Sequence, residues 1–261
     1  MVKKYFRLMI LHFSLILVVL LPDSIALNND SSLKLYLAFD EENGKIAKDH
    51  SKSRLEGRLS GKAKFVKNGK FGGALSLEDS NSLVQLPATD ELNITKSITI
   101  AAWIFPLVNQ KDSNVIGRRT AANVGGYCIQ WSGLGAAAKV ETWIGLPVWQ
   151  GTRNLQKTEP KLEKWHHVVA IYDGNEIKQY VNGKLDAYLK IPDREIASQK
   201  VELHIGKAQT GLPGIVGKID EVAIYDRALT KDEIKSDMQK GVFFSVEPSK
   251  KLATKWATLK R

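Results

Sequence analysis

The sequence predicts an all-β chain, two antiparallel sheets packed as a sandwich with one short helix near the C-terminus. Three observations carry this expectation. From Trp165 to Tyr172 (WHHVVAIY) the residues alternate, with Trp165, His167, Val169 and Ile171 on one face and His166, Val168, Ala170 and Tyr172 on the other. Both faces are mostly apolar, so this strand is expected to be covered on both sides. Asp173-Gly174-Asn175 and then Asn182-Gly183 supply residues that accept positive φ, which folds the segment from Leu162 to Ile191 into a three-stranded meander. Together with the meander, about a dozen short strands lie between turn residues along the chain, and helical periodicity is almost absent.

In chain order, residues 1–26 read as a secretory signal. Lys3, Lys4 and Arg7 form a basic head, Leu8 to Leu21 an apolar core, and Ser24-Ile25-Ala26 a small-x-small cleavage site. The apolar run is interrupted by His12 and falls short of the roughly 20 residues that a spanning helix needs, so export to the cell exterior or surface is the expectation. Residues 27–32 are a short linker, and one domain is expected over 33–241. Its first strand alternates from Leu33 to Phe39, and the polar, glycine-containing stretch from Glu41 to Gly69 is expected to form rim loops around one short strand near Ala63–Lys67. Further strands are predicted at Ala74–Leu77, Leu83–Leu86, Ile98–Phe105, Gly126–Trp131, Lys139–Gly145, Val201–Gly206 and Lys218–Tyr225.

The helix is predicted after Thr230, a good N-cap. Glu233 completes a capping box, Leu229 and Ile234 are spaced as a hydrophobic staple, and Gly241 supplies the stop. Residues 242–261 form a basic tail with five cationic residues against Glu247. The net charge is +10 over the whole chain, and this tail contributes +4 of it, which favours acidic partners such as sulfated or carboxylated polysaccharides. Nothing in the chain has the pattern of a nucleic-acid-binding module. Leu252, Trp256 and Leu259 share one face if the end of the tail is helical, a pattern compatible with a membrane surface. Val242, Phe243, Phe244 and Val246 instead read as a strand seeking a partner sheet, and packing of this first part on the sandwich is the favoured expectation.

The meander motif W-H-H-V-V-A-I-Y-D-G with Y-V-N-G-K-L resembles the central signature of the laminin-G-like, concanavalin A-like jelly rolls. Three more motifs fit the same pattern: L-A-F-D-E at 37–41, G-K-F-G-G-A-L-S-L at 69–77, and G-K-I-D-E-V-A-I-Y-D-R-A-L-T at 217–230. The resemblance spans about residues 33–241. It implies a jelly-roll sandwich that works by binding, and it names no ligand.

Catalysis is not expected. The retaining glucanases among such folds carry alternating carboxylates on one strand, whereas here Asp220 and Glu221 are neighbours, expected on opposite faces, and Lys218 and Val222 flank them. His166 and His167 are likewise expected on opposite faces, and no Cys/His cluster has zinc spacing. The single cysteine, Cys128, excludes an internal disulfide and is expected to pack as a small hydrophobe. Related sandwiches often hold a structural calcium ion. The corresponding candidates are Asp40, Asp49 and Asp220, which would be brought together if the first and last strands lie side by side.

For carbohydrate, the stretch from Trp143 to Asn154 is the best candidate. Trp149 sits in a Gly/Pro-bounded loop with Gln150, Arg153 and Asn154, a platform for a sugar ring with polar groups for its hydroxyls, and Trp131 and Tyr127 are expected to border it. Trp103 and Trp165 are expected in the core. The sequence thus reads as a secreted adhesion or binding module for a glycan, with a structural or protein-binding module that takes no sugar as the alternative. Asn93-Ile94-Thr95 and Asn29-Asp30-Ser31 are glycosylation sequons.

Overall fold

A computed structural model describes residues 30–121, 124–134 and 137–242. The expected signal at 1–26, Asn29 of the second sequon and the tail beyond Val242 lie outside these described residues. Sixteen strands and one helix form among the described residues, arranged as two antiparallel sheets.

The first sheet runs in the order β14 (Lys184–Lys190), β13 (Glu176–Val181), β12 (His166–Tyr172), β7 (Ile98–Pro106), β16 (Gly217–Tyr225), β5 (Ala74–Leu77) and β4 (Ala63–Val66). β1 (Leu33–Leu37) also pairs with β16. The second sheet runs β11 (Trp149–Gly151), β10 (Ala137–Gly145), β9 (Gly126–Leu134), β8 (Ser113–Arg118), β15 (Leu203–Ile205), β6 (Leu83–Leu86), β3 (Glu56–Ser60) and β2 (Ile46–Lys48). Inward residues of both sheets, among them Leu35, Leu37, Ile100, Ile104, Val168, Tyr172, Ile129 and Val140, fill one continuous core.

The alternation that predicts β12 is borne out at every position. Val168, Ala170 and Tyr172 join the core between the sheets, while Val169 and Ile171 join an outer cluster with Tyr36, Ala101, Tyr225, Leu229 and Ile234. The helix α1 (Lys231–Lys240) supplies that outer cover. Its capping box forms as the sequence predicts: the Glu233 N–H donates to Thr230 Oγ1 at 3.3 Å, and the Thr230 N–H donates to Glu233 Oε2 at 2.7 Å. Asn182 and Gly183 take φ values of 51° and 74°, as the hairpin between β13 and β14 requires.

Four short strands, β2, β3, β8 and β11, depart from the predicted set. β3, β8 and β11 each contain glycine and β2 has only three residues, and each is held by neighbours in the second sheet rather than by its own pattern. Trp165 lies just before β12 and is partly exposed on Phe105, not in the core, and Trp103 is buried on the outer side of the first sheet.

Candidate functional site

Alternation along β10 sends Ala138, Val140 and Ile144 into the core and leaves Lys139, Glu141 and Trp143 on the outer face of the second sheet. The register sets Gly151 opposite Trp143 and Trp149 opposite Gly145, so Trp149 and Trp143 project from this same face. The Trp143 ring lies over Gly151, where a Cβ would come within 2.5 Å of it. A guanidinium caps each indole: Arg119 Cζ lies 4.6 Å from the Trp149 ring centre, and Arg153 Cζ lies 5.3 Å from that of Trp143.

Arg153 is itself held by carboxylates. Its Nε donates to Glu141 Oε1 and Oε2 at 3.1 and 2.9 Å, its Nη2 donates to Glu141 Oε2 at 2.8 Å, and Nη2 also pairs with Asp112 Oδ1. Glu141 Oε2 further accepts the Trp143 indole N–H at 3.1 Å. Hydrogen bonding to Glu141, with Asp112 beside it, raises the Arg153 pKa and keeps this cation charged. The network lines an open cleft of about 390 Å³, with Lys139, Ser132, Asn154 and Gln156 on its walls. A second cleft of about 310 Å³ lies between Pro147–Val148 and Pro192–Arg194 and takes in Gln150.

Of the residues the sequence predicts for the site, Arg153 and Asn154 line the first cleft, Gln150 lines the second, and Trp149 stands half-buried under Arg119. Trp131 and Tyr127 require correction, because neither borders this surface. Both are wholly buried, since alternate residues of β9 face inward, and their polar atoms are spent inside: Trp131 Nε1 donates to Asn109 Oδ1 at 3.3 Å, and the Tyr127 hydroxyl donates to the Leu92 carbonyl at 3.1 Å. Cys128, on the outward side of β9, is buried beside Arg119, and burial raises its thiol pKa. Glu141, Asp112, Trp143 and Arg119 were not singled out from the sequence. The run Lys139-Val140-Glu141-Thr142-Trp143 held a signal for two of them, since its charged and aromatic residues fall in one alternating register and Val140 and Thr142 in the other.

The expected calcium ligands do not assemble as a set. Asp49 is buried, and four donors occupy its carboxylate: Oδ1 accepts from the Tyr36 and Ser51 N–H groups, and Oδ2 from Ser51 Oγ and the Leu55 N–H. Asp40 and Asp220 do address one loop, but through its backbone. Asp220 Oδ2 accepts from the Lys70 and Phe71 N–H groups at 2.8 and 3.0 Å, and Asp40 Oδ1 accepts from the Gly73 N–H at 2.6 Å. Among the described residues no three His, Cys, Asp or Glu side chains come together to hold a metal ion.

Asp220 and Glu221 also depart from expectation. A β-bulge lies between Asp220 and Ala223, where β16 exchanges β5 for β1 as its partner, and Glu221 takes a φ of 53°. Both carboxyls therefore reach the outer side, Glu221 accepting from the Tyr36 hydroxyl at 2.7 Å and from the Val242 N–H at 3.2 Å. Burial pushes the Asp220 carboxyl up to about 8. His166 and His167 do face opposite ways, packing against Trp131 and Trp103 respectively.

A laminin G family model, described as the concanavalin A-like lectin/glucanases superfamily, matches residues 78–235. The chain belongs to this superfamily. Its members' fold recurs in the solved structures that the chain resembles. The fourth domain of an extracellular GH43 arabinanase from Geobacillus stearothermophilus, solved in complex with arabinotriose, superposes with a TM-score of 0.65 at 20% identity, over 80% of this chain and 98% of that one. The binding domain of botulinum neurotoxin serotype G superposes at 0.60 and 17% identity, and that of botulinum neurotoxin DC, solved in complex with SialylT, at 0.59 and 18%. These two matches cover 79% and 80% of this chain and only 50% and 52% of the toxin domains. No curated protein sequence matches the chain. The two-sheet sandwich of the superfamily is thus shared with domains that bind.

Proposed function

We propose that this protein is an exported, non-catalytic module that binds glycans on the outer face of the second sheet, along β9, β10 and β11. One observation carries this reading: a fixed set of donors and acceptors, Glu141, Arg153 and Asp112, lines an open cleft on the sheet face from which Trp143 and Trp149 project. The exposed part of the Trp149 indole takes the apolar side of a sugar ring, Trp143 stays packed between Gly151 and Arg153, and the held guanidinium and carboxylates take the sugar hydroxyls in a defined orientation. The arabinotriose complex of the arabinanase domain supports a carbohydrate as the ligand class, and the expected signal at 1–26 supports export. No step of this reading needs calcium.

A glycan array identifies the ligand, and titration of variants locates it. Trp149→Ala, Arg153→Ala and Glu141→Gln should each weaken binding while the melting temperature stays near that of the parent chain. An array without any hit, or unchanged affinity in all three variants, would turn the reading toward a protein-binding or structural module.

A further inference from the structure

The outer face of the first sheet carries a second aromatic surface, separate from the cleft of the second sheet. Trp103 and Phe105 alternate outward on β7, and the register sets His167 and Asp220 on either side of Trp103, with Lys218 beside Phe105. The row of rings continues both ways. Phe71 meets Trp103 edge-on at 6.3 Å, and Trp165 packs on Phe105 at 5.4 Å. Trp103 is almost wholly buried, whereas Phe71, Phe105 and Trp165 are partly exposed.

Two ammonium groups sit on this row. Lys70 Nζ lies 4.2 Å from the Trp103 ring centre, and Lys218 Nζ lies 5.2 Å from that of Phe105. Lys70 is not placed by chance, because Asp220 takes its backbone N–H and that of Phe71 and so fixes the loop over the sheet. Among the described residues neither lysine has a carboxylate at ion-pair distance; Lys218 Nζ donates only to the Asn68 carbonyl at 3.4 Å. The Trp103 indole N–H, buried beneath Lys70, has no acceptor among the described residues. The row therefore holds, over its aromatic faces, positive charge that no carboxylate among the described residues neutralises, with a buried indole N–H without an acceptor beneath it.

We propose that this row is a second ligand surface, built for an extended anionic polysaccharide. Partly exposed rings suit stacking against sugar faces, and ammonium groups without acidic partners suit sulfate or carboxylate groups spaced along a chain. A row of rings laid along a sheet face fits a polymer better than a compact ligand. The inference does not rest on the glycan reading of the other sheet, and it makes the domain two-faced.

The test is calorimetric titration of the full chain with a heparin oligosaccharide, which is sulfated, and with an oligogalacturonate, which is carboxylated, each at low and high salt. The double variant Lys70→Gln/Lys218→Gln should bind the preferred probe about tenfold more weakly, as loss of complementary charge implies, with a flatter salt dependence. Lys231→Gln/Lys235→Gln, which removes two exposed cations of α1 outside the row, should leave that affinity unchanged, and the two probes distinguish sulfate from carboxylate as the anion recognised. The proposal is overturned if the parent chain binds neither probe, or if the lysine pair can be replaced without loss. It is equally overturned if the binding is lost through Trp149→Ala, or through Lys→Gln changes at 250, 251, 255 and 260 in the tail.

Discussion

Asp49, itself buried, ties the start of the domain together by accepting from three backbone N–H groups and the Ser51 hydroxyl. Asp49→Ala leaves those donors without an acceptor, and at about 1–3 kcal/mol for each unsatisfied buried group the loss in a urea titration should exceed about 3 kcal/mol. Trp149 is different in kind, because it is half-buried on the edge strand β11, with the Arg119 guanidinium over its ring. On a confirmed glycan, Trp149→Ala should cost about 1–3 kcal/mol of binding, read by calorimetry, with little change in melting temperature. His167 carries a pH signature. Burial, with Lys70 nearby, depresses its imidazole to about 3, below the value of 6.5 it recovers when the chain unfolds. The unfolded chain therefore binds the extra proton between these limits, so this residue's contribution is complete above pH 6.5 and is lost as pH falls toward 3. Asp220, raised to about 8, acts in the opposite direction across much of the same range. The clean readout is thus a difference: the stability of the parent chain relative to His167→Phe should fall by about 1.4 kcal/mol per pH unit from pH 6 to pH 4. A difference that stays flat would show that His167 titrates normally in the fold.

At the scale of elements, α1 is short and holds its place through its ends and one face. Its N-terminus is satisfied by Thr230 and Glu233, and Arg227 bonds both Glu233 and Asp30, which pins the helix to the start of β1. Thr230→Ala should cost about 1 kcal/mol by loss of the cap, whereas Ile234→Ala should cost about 2–5 kcal/mol, because Ile234 is buried against the outer face of the first sheet. Thermal unfolding of the two variants checks the order. If Thr230→Ala proves the costlier, the cap rather than the packing governs the helix. Ends and turns of this kind were legible in the sequence because they depend on residues three or four apart. The bulge at Asp220–Glu221 was not, because it arises where β16 changes partner from β5 to β1, two strands that lie far from it in sequence.

For the whole molecule, closure depends on contacts between the two ends of the domain. β1 pairs with β16, and Val242, just beyond the helix, is buried and donates to Glu221. Deleting residues 242–261 should therefore lower the melting temperature, and deleting 249–261 should change it little. Equal melting of both truncations with the full chain would show that Val242 carries no stability. The sequence by itself determined the all-β class, the meander, the helix caps and membership of a sandwich family, since strand alternation, turn residues and capping boxes are local patterns with local physical causes. It also pointed to the stretch that contains Trp149, Arg153 and Asn154. Only the tertiary structure decided that Trp131 and Tyr127 face the core, that Glu141 and Asp112 hold Arg153, that Asp49 serves a turn, and that the four rings of the first sheet form one row. Which face of a strand meets the core, and which side chains from distant strands become neighbours, is set by register and sheet order, and those depend on the packing of the entire chain.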